Sequence, residues 1–138
     1  MPNPNSQADR IALQDLMLRY AAGVDDRDQD MYQSCFDDTV EVLDFGPDPF
    51  KGKAVWVEYV WSALEQYSST QHMLGPQLAT IDGDMAYTRS DVQALHYFKE
   101  GEHERFTLWA TYFTDMRRCD NEWRIVKHRL LVRGSELA

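Results

Sequence analysis

Two of the four histidines in this 138-residue chain lie in segments that alternate like β-strands: His72 in "TQHMLG" and His96 in "ALHYF". His72 shares a strand face with Leu74, and His96 shares one with Ala94 and Phe98. An imidazole set among apolar neighbours needs a hydrogen-bond partner, because burying it unpaired costs about 1–3 kcal/mol. A carboxylate is the natural partner, and it favours the protonated ring, which is what a general base requires. Asp25 is the candidate, since it follows the apolar stripe of an N-terminal helix and falls one turn past Ala21, near the buried side. The plainer readings are a packed core histidine at His72 and a solvated helix-end acid at Asp25. His103, within "EGEHE", reads as solvated loop, and His128, within "RIVKHRL", lies on a strand and could face either way.

The elements that must position these groups follow from periodicity. Leu13, Leu16, Met17, Tyr20, Ala21 and Val24 recur at the spacing of one helix face. Asp28 is placed to cap a short second helix reaching about Phe36. "TVEVLDFGPDPFKG" reads as a strand ending in a Pro- and Gly-rich loop, and about Lys53 to Tyr67 as a third helix with Val57, Val60, Trp61 and Leu64 on one side. Four strand-like runs succeed it: Gln71 to Ile81, Met85 to Phe98, Glu104 to Arg117 and Glu122 to Val132, joined by hairpin-sized connectors. Helices first and antiparallel strands after predict an α+β domain, with three helices packed on a curved, mainly antiparallel sheet. Residues 1–6 read as a disordered lead-in, 7–133 as a single domain and 134–138 as a tail.

The run from Glu104 to Arg117 carries Phe106, Leu108, Ala110 and Tyr112 on one face and Trp109 and Phe113 on the other. Large apolar groups on both faces predict that a second copy covers the outer one, giving a homo-dimer or trimer.

Bulk composition narrows the partners. Fourteen basic against twenty-three acidic residues give a formal charge of -9, which repels phosphate backbones and argues against nucleic acid. No stretch has the roughly 20 apolar residues of a membrane span, so no membrane partner is expected. "MPNPNSQADR" lacks the basic flank and apolar run of a secretory signal, and Cys35 and Cys119 are isolated. Both features point to a cytoplasmic protein with reduced thiols. There is no HExxH, GxGxxG, P-loop or GxSxG, so no metal, nucleotide or serine-hydrolase chemistry is expected.

The order "YAAGVDDRD", a strand, a helix, "TQHMLG", and a closing "DNEWRIVKH" resembles the SnoaL-like branch of the nuclear transport factor 2-like superfamily. Scytalone dehydratase, lindane dehydrochlorinase, polyketide cyclases and bile-acid dehydratase are its better-known members. The resemblance runs from about Gln7 to Arg133 and implies a cone-shaped α+β barrel around an apolar pocket. It also implies an acid–base set of Asp25, His72 and His96, working without a cofactor. Where scytalone dehydratase has two tyrosines that hold a water on the substrate carbonyl, this chain has Val24 and Phe45, which cannot donate a hydrogen bond. A polar pair of that enzyme is Ala110 and Tyr112 here, which argues against scytalone as the substrate.

With the resemblance added, the expected chemistry is proton abstraction in a dry pocket. His72, oriented by Asp25, would take a proton from a C–H α or vinylogous to a carbonyl. His96 would give one to a leaving hydroxide or an enolate oxygen. The substrate is then a small, mostly apolar cyclic or carbonyl compound, walled by Tyr20, Val24, Phe45, Leu74, Phe98, Phe106, Leu108 and Tyr112. Tyr20 or Tyr112 would supply the missing hydroxyl. The alternatives are a non-catalytic ligand-binding or assembly module, and a cyclase acting through Asp25 alone.

Overall fold

In the computed structural model, which describes residues 6–138, helix α1 spans Ser6–Asp25 and buries the expected stripe of Leu13, Leu16, Met17, Tyr20, Ala21 and Val24. Helix α2, Gln29–Ser34, starts at Asp28, whose side chain accepts from the Met31 N–H at 3.0 Å. The two helices cross so closely that a Cβ on Gly23 would lie 2.9 Å from backbone atoms of Tyr32. Only glycine permits that approach. Helix α3, Lys53–Leu64, stops one turn earlier than its periodicity predicts, because Tyr67 already pairs with Phe98 as the first residue of a strand.

The strands are β1 Phe36–Leu43, β2 Phe50–Lys51, β3 Tyr67–Leu74, β4 Leu78–Asp82, β5 Met85–Phe98, β6 Arg105–Cys119 and β7 Glu122–Leu137. They form one sheet in the order β2-β1-β7-β6-β5-β3, with β4 also on β5. Only β1 and β7 run parallel among these pairs. The sheet is curved and open, a cone rather than a closed barrel, with α1 and α3 over its concave face.

Three further details differ from the sequence reading. The run Gln71 to Ile81 is two strands, not one. The Gly75 N–H bonds to the Asp91 carbonyl at 2.8 Å, and Pro76 then has no N–H to continue the ladder. Accordingly β3 pairs with the second half of β5 and β4 with the first. The second difference is the tail: β7 runs on to Leu137, and Gly134 to Leu137 pair with Trp109 to Phe106. The lead-in lies outside the described residues except for Ser6, which is helical.

The third difference is a β-bulge. Asp115 opposes Lys127 while Met116 opposes Ile125, leaving Val126 as an extra residue. Trp123 and Ile125 are buried, and after the bulge His128 and Leu130 are the buried ones. The inserted residue shifts the alternation of β7 by one and turns His128 inward.

The outer face of the sheet exposes Met73, Leu78, Tyr87, Trp109 and Leu131. Both cysteines are free, Cys35 buried and Cys119 exposed. Among the described residues no helix is long and apolar enough to cross a membrane.

Candidate active site

Asp25, the last residue of α1, reaches the start of the concave face at β3. Its Oδ1 lies 2.8 Å from Nδ1 of His72, and its Oδ2 accepts from the His72 backbone N–H at 2.7 Å. A third donor, the Thr70 hydroxyl, reaches Oδ1 at 3.0 Å. Thr70 in turn accepts from Nη1 of Arg27 at 2.9 Å, and Arg27 also holds the Val24 carbonyl at 2.6 Å. A guanidinium can only donate, so the single hydroxyl proton of Thr70 is committed to Asp25. Asp25 therefore faces donors on every side. Burial pushes its pKa up, but the hydrogen bonds from the His72 ring and backbone, the His72 charge and Thr70 outweigh that and hold it below the usual value.

An ionised Asp25 can only accept, which places the ring proton of His72 on Nδ1 and leaves the lone pair on Nε2. The two side chains are largely shielded, His72 being 11% and Asp25 18% exposed. His72 lies on the wall of a cavity of about 260 Å³.

His96 lies on the neighbouring strand β5, where Thr70 opposes it and Ala94 opposes His72. The two imidazoles are 5.7 Å apart between ring centroids and nearly perpendicular. His96 bonds through Nδ1 to the Phe106 carbonyl at 3.0 Å and packs between the rings of Tyr67 and Phe106. Burial lowers its pKa, and the Phe106 carbonyl offsets this only in part. A carbonyl cannot donate, so neutral His96 carries its proton on Nδ1 and has none at Nε2. The expected donor role is not available to the neutral ring.

The cavity brings together Asp25's partner His72, His96 and most of the anticipated wall: Tyr20, Val24, Phe45, Phe106, Leu108 and Tyr112. Leu74 and Phe98 are not part of it. Leu74 lies beside Met17 and Leu18, one residue pair further along β3 and under α1. Phe98, at the end of β5, packs on Tyr67 at 5.1 Å, and Tyr67 is the ring that faces the cavity. Sharing a strand face with a histidine does not suffice, because the sheet twists away beneath the helices.

Two groups carry more of the site than their sequence context suggests. Tyr32, Trp56 and Tyr59 close the cavity from α2 and α3, with Trp56 Nε1–H donating to the Tyr32 hydroxyl at 3.0 Å. The aromatic run "VWVEY" offered a signal for these, since Trp56 and Tyr59 are three residues apart on one helix face. The other is His128, fully buried, with Nε2 at 3.0 Å from the Tyr20 hydroxyl and Nδ1 at 2.9 Å from the Thr114 hydroxyl. Burial with no carboxylate pushes its pKa down to about 3, so it is a neutral ring. The Tyr32 and Tyr112 hydroxyls lie near that of Tyr20, and burial raises the pKa of all three phenols. They remain protonated donors in a hollow whose other polar groups include His72 and His96.

Among the described residues no three His, Cys, Asp or Glu side chains are grouped so as to hold a metal ion.

The comparisons with known proteins agree with this architecture. The sequence profile of the SnoaL-like domain matches residues 5–129. A putative scytalone dehydratase from Novosphingobium aromaticivorans superposes with a TM-score of 0.88 at 17% identity, over 95% of this chain and 88% of that one. A type 2 hexachlorocyclohexane dehydrochlorinase (LinA) gives 0.88 at 24% identity, over 97% and 91%. A putative aromatic ring hydroxylase, also from N. aromaticivorans, gives 0.86 at 26% identity, over 95% and 94%. No curated protein sequence matches this chain.

Proposed function

The chain belongs to the SnoaL-like domain family, and from that premise we propose that it is a cofactor-independent lyase or isomerase. It acts on a small, mostly apolar cyclic or carbonyl substrate. The observation that carries this reading is the 2.8 Å contact between His72 Nδ1 and Asp25 at the wall of a hollow of about 260 Å³. The carboxylate fixes the tautomer, and the Nε2 lone pair of His72 is left for an acidic C–H. Removing that proton makes an enolate and an imidazolium whose positive charge Asp25 stabilises. In an elimination, the same Nε2–H then protonates a hydroxide leaving from the same face; the C–O bond breaks, water departs and His72 returns to neutral. In an isomerisation, the proton goes back to a different carbon. One base serves both halves, so the chemistry needs no separate acid.

The enolate oxygen needs a donor, and the Tyr20–Tyr32–Tyr112 group takes the place of the hydroxyls that Val24 and Phe45 lack. An apolar surround strengthens each of these contacts by excluding water. The LinA and scytalone dehydratase likenesses support the fold of such a site.

The test is a panel of small cyclic ketones and hydroxyketones incubated in deuterated water. NMR or mass spectrometry then reads deuterium uptake or loss of water. A compound that the wild type turns over should react about 10²–10⁴ times more slowly with His72→Gln, at nearly unchanged thermal stability. Equal rates in the two proteins remove His72 as the base.

Assembly belongs to the same reading. We propose that the exposed outer-face residues Met73, Leu78, Tyr87, Trp109 and Leu131 are covered by further copies of the chain, in a dimer or trimer. Light scattering that gives the 16.1 kDa monomer at micromolar concentration rules this out.

A further inference from the structure

Whether Tyr20 offers its proton to the hollow or turns it back into the protein depends on His128. Nε2 of that ring lies 3.0 Å from the Tyr20 hydroxyl, and a neutral imidazole has one N–H to place. With the proton on Nδ1, Nε2 accepts from Tyr20 and the phenol proton is spent inside the wall. With the proton on Nε2, the ring donates to the Tyr20 oxygen and leaves the Tyr20 O–H free for another partner.

Thr114 chooses between the two. It is 1% exposed, its hydroxyl lies 2.9 Å from His128 Nδ1, and that hydroxyl has no other hydrogen-bond partner among the described residues. Were Nδ1 protonated, Thr114 would accept from the ring, and its own proton would be buried without an acceptor at about 1–3 kcal/mol. Tyr20 is not confined in this way, since the Tyr32 and Tyr112 hydroxyls are within reach of its own. The arrangement of lower energy has Thr114 O–H donating to Nδ1 and Nε2–H donating to Tyr20. Tyr32 repeats the pattern: it receives the Trp56 Nε1–H at 3.0 Å, and an indole can only donate. Two of the three phenol oxygens are thus filled from behind by a ring N–H, and a hydroxyl that accepts becomes a better donor.

We propose that Thr114 and His128 are positioning residues for Tyr20: Thr114 fixes the Nε2–H tautomer of His128, and that N–H fills the Tyr20 oxygen and directs the Tyr20 O–H at an oxygen of the guest. His128 keeps its proton throughout and acts on the guest through Tyr20 alone. The proposal rests on the proton-transfer reading for the nature of that oxygen, a carbonyl that becomes an enolate, but not for the direction of the chain.

The experiment has two arms, and neither needs turnover. Nitrogen-15 NMR of the histidine-labelled wild type at neutral pH should give His128 a pyrrole-type Nε2 and a pyridine-type Nδ1. The opposite tautomer overturns the proposal, and this arm decides it even where a buried substitution fails to fold. The second arm uses 1-indanone, whose oxygen can only accept, and indane, which has no oxygen. The wild type should bind the ketone on the order of tenfold more tightly than indane, the worth of one good hydrogen bond. The C=O stretch of the bound ketone should lie below its value in hexane. Tyr20→Phe should abolish the preference and raise the stretch. His128→Leu should cut the preference about threefold and raise the stretch part of the way. His128→Gln, whose amide N–H takes the place of Nε2–H, should restore both. No preference for the ketone in the wild type, a preference that survives Tyr20→Phe, a stretch unmoved in His128→Leu, or His128→Gln no better than His128→Leu overturns the assignment. Failure of the proton-transfer reading is distinct: it appears as equal turnover by wild type and His72→Gln, with the His128 tautomer and the stretch as stated here.

Discussion

One interior holds two histidine networks that share almost nothing but the imidazole. His72 meets a carboxylate, keeps one nitrogen toward a hollow and remains 11% exposed. His128 meets only hydroxyls, from Tyr20 and Thr114, and is fully enclosed. In the first the ring can gain a charge, because a negative partner waits for it. In the second a charge would be stranded, and burial accordingly pushes the pKa to about 3. The identity of the partner and one open nitrogen thus separate a ring suited to proton transfer from one that holds a wall in place.

The comparison breaks most severely if the carboxylate loses its charge. Asp25→Asn keeps the shape but offers His72 Nδ1 an amide that can also donate, so the wrong tautomer becomes available. Turnover of any substrate found in the ketone panel should drop by about 10³–10⁴, with both networks otherwise intact by NMR. Activity within tenfold of wild type would mean that the carboxylate does not set the ring.

The pH dependence of stability comes next. An unfolded chain protonates His128 near its ordinary 6.5, whereas the fold resists until about 3. The folded state binds fewer protons in that window, so His128's contribution is complete above 6.5 and is lost as pH falls toward 3. It amounts to on the order of 5 kcal/mol. Asp25, with a depressed pKa, adds to the same acid loss below the ordinary carboxylate value. Urea unfolding from pH 7 to 4 should show the slope, and His128→Asn should flatten it; an unchanged slope in that variant would assign it elsewhere.

A smaller effect reaches both networks together. Gly23 lies between Tyr20 and Asp25 on α1, and the contact that a Cβ would make is with rigid backbone. Gly23→Ala should cost about 1–3 kcal/mol and disturb the His72 and His128 resonances alike. The gentlest change is Thr70→Val, which removes one of three donors to Asp25 and leaves Arg27 Nη1 with only the Val24 carbonyl. It should destabilise by about 1 kcal/mol and raise the Asp25 pKa measured by carbon-13 NMR.

What could be read in the amino acids divides along the same line. Asp25 and His72 were legible because helix period and strand alternation are local rules, and each residue obeys its own. The Arg27–Thr70 link joins residues 43 apart in the chain, and nothing local to either suggests it. His128 was illegible for a sharper reason. Counting by twos from Trp123 sends it to the solvent side, and only the extra residue at Val126 brings it back. Leu74 and Phe98 failed in the opposite way: their parity is right, but twist and a neighbouring ring take them out of reach of the hollow.

The bulge in β7 therefore decides something that no side chain does. Deleting Val126 would keep every functional group in the chain and still present the Tyr20 hydroxyl with a different neighbour, exchanging an imidazole for whatever follows in register. The chemical inventory of the chamber is set there by counting, one backbone unit more or less, and a homologue that differs by that unit would have a different interior behind the same list of residues.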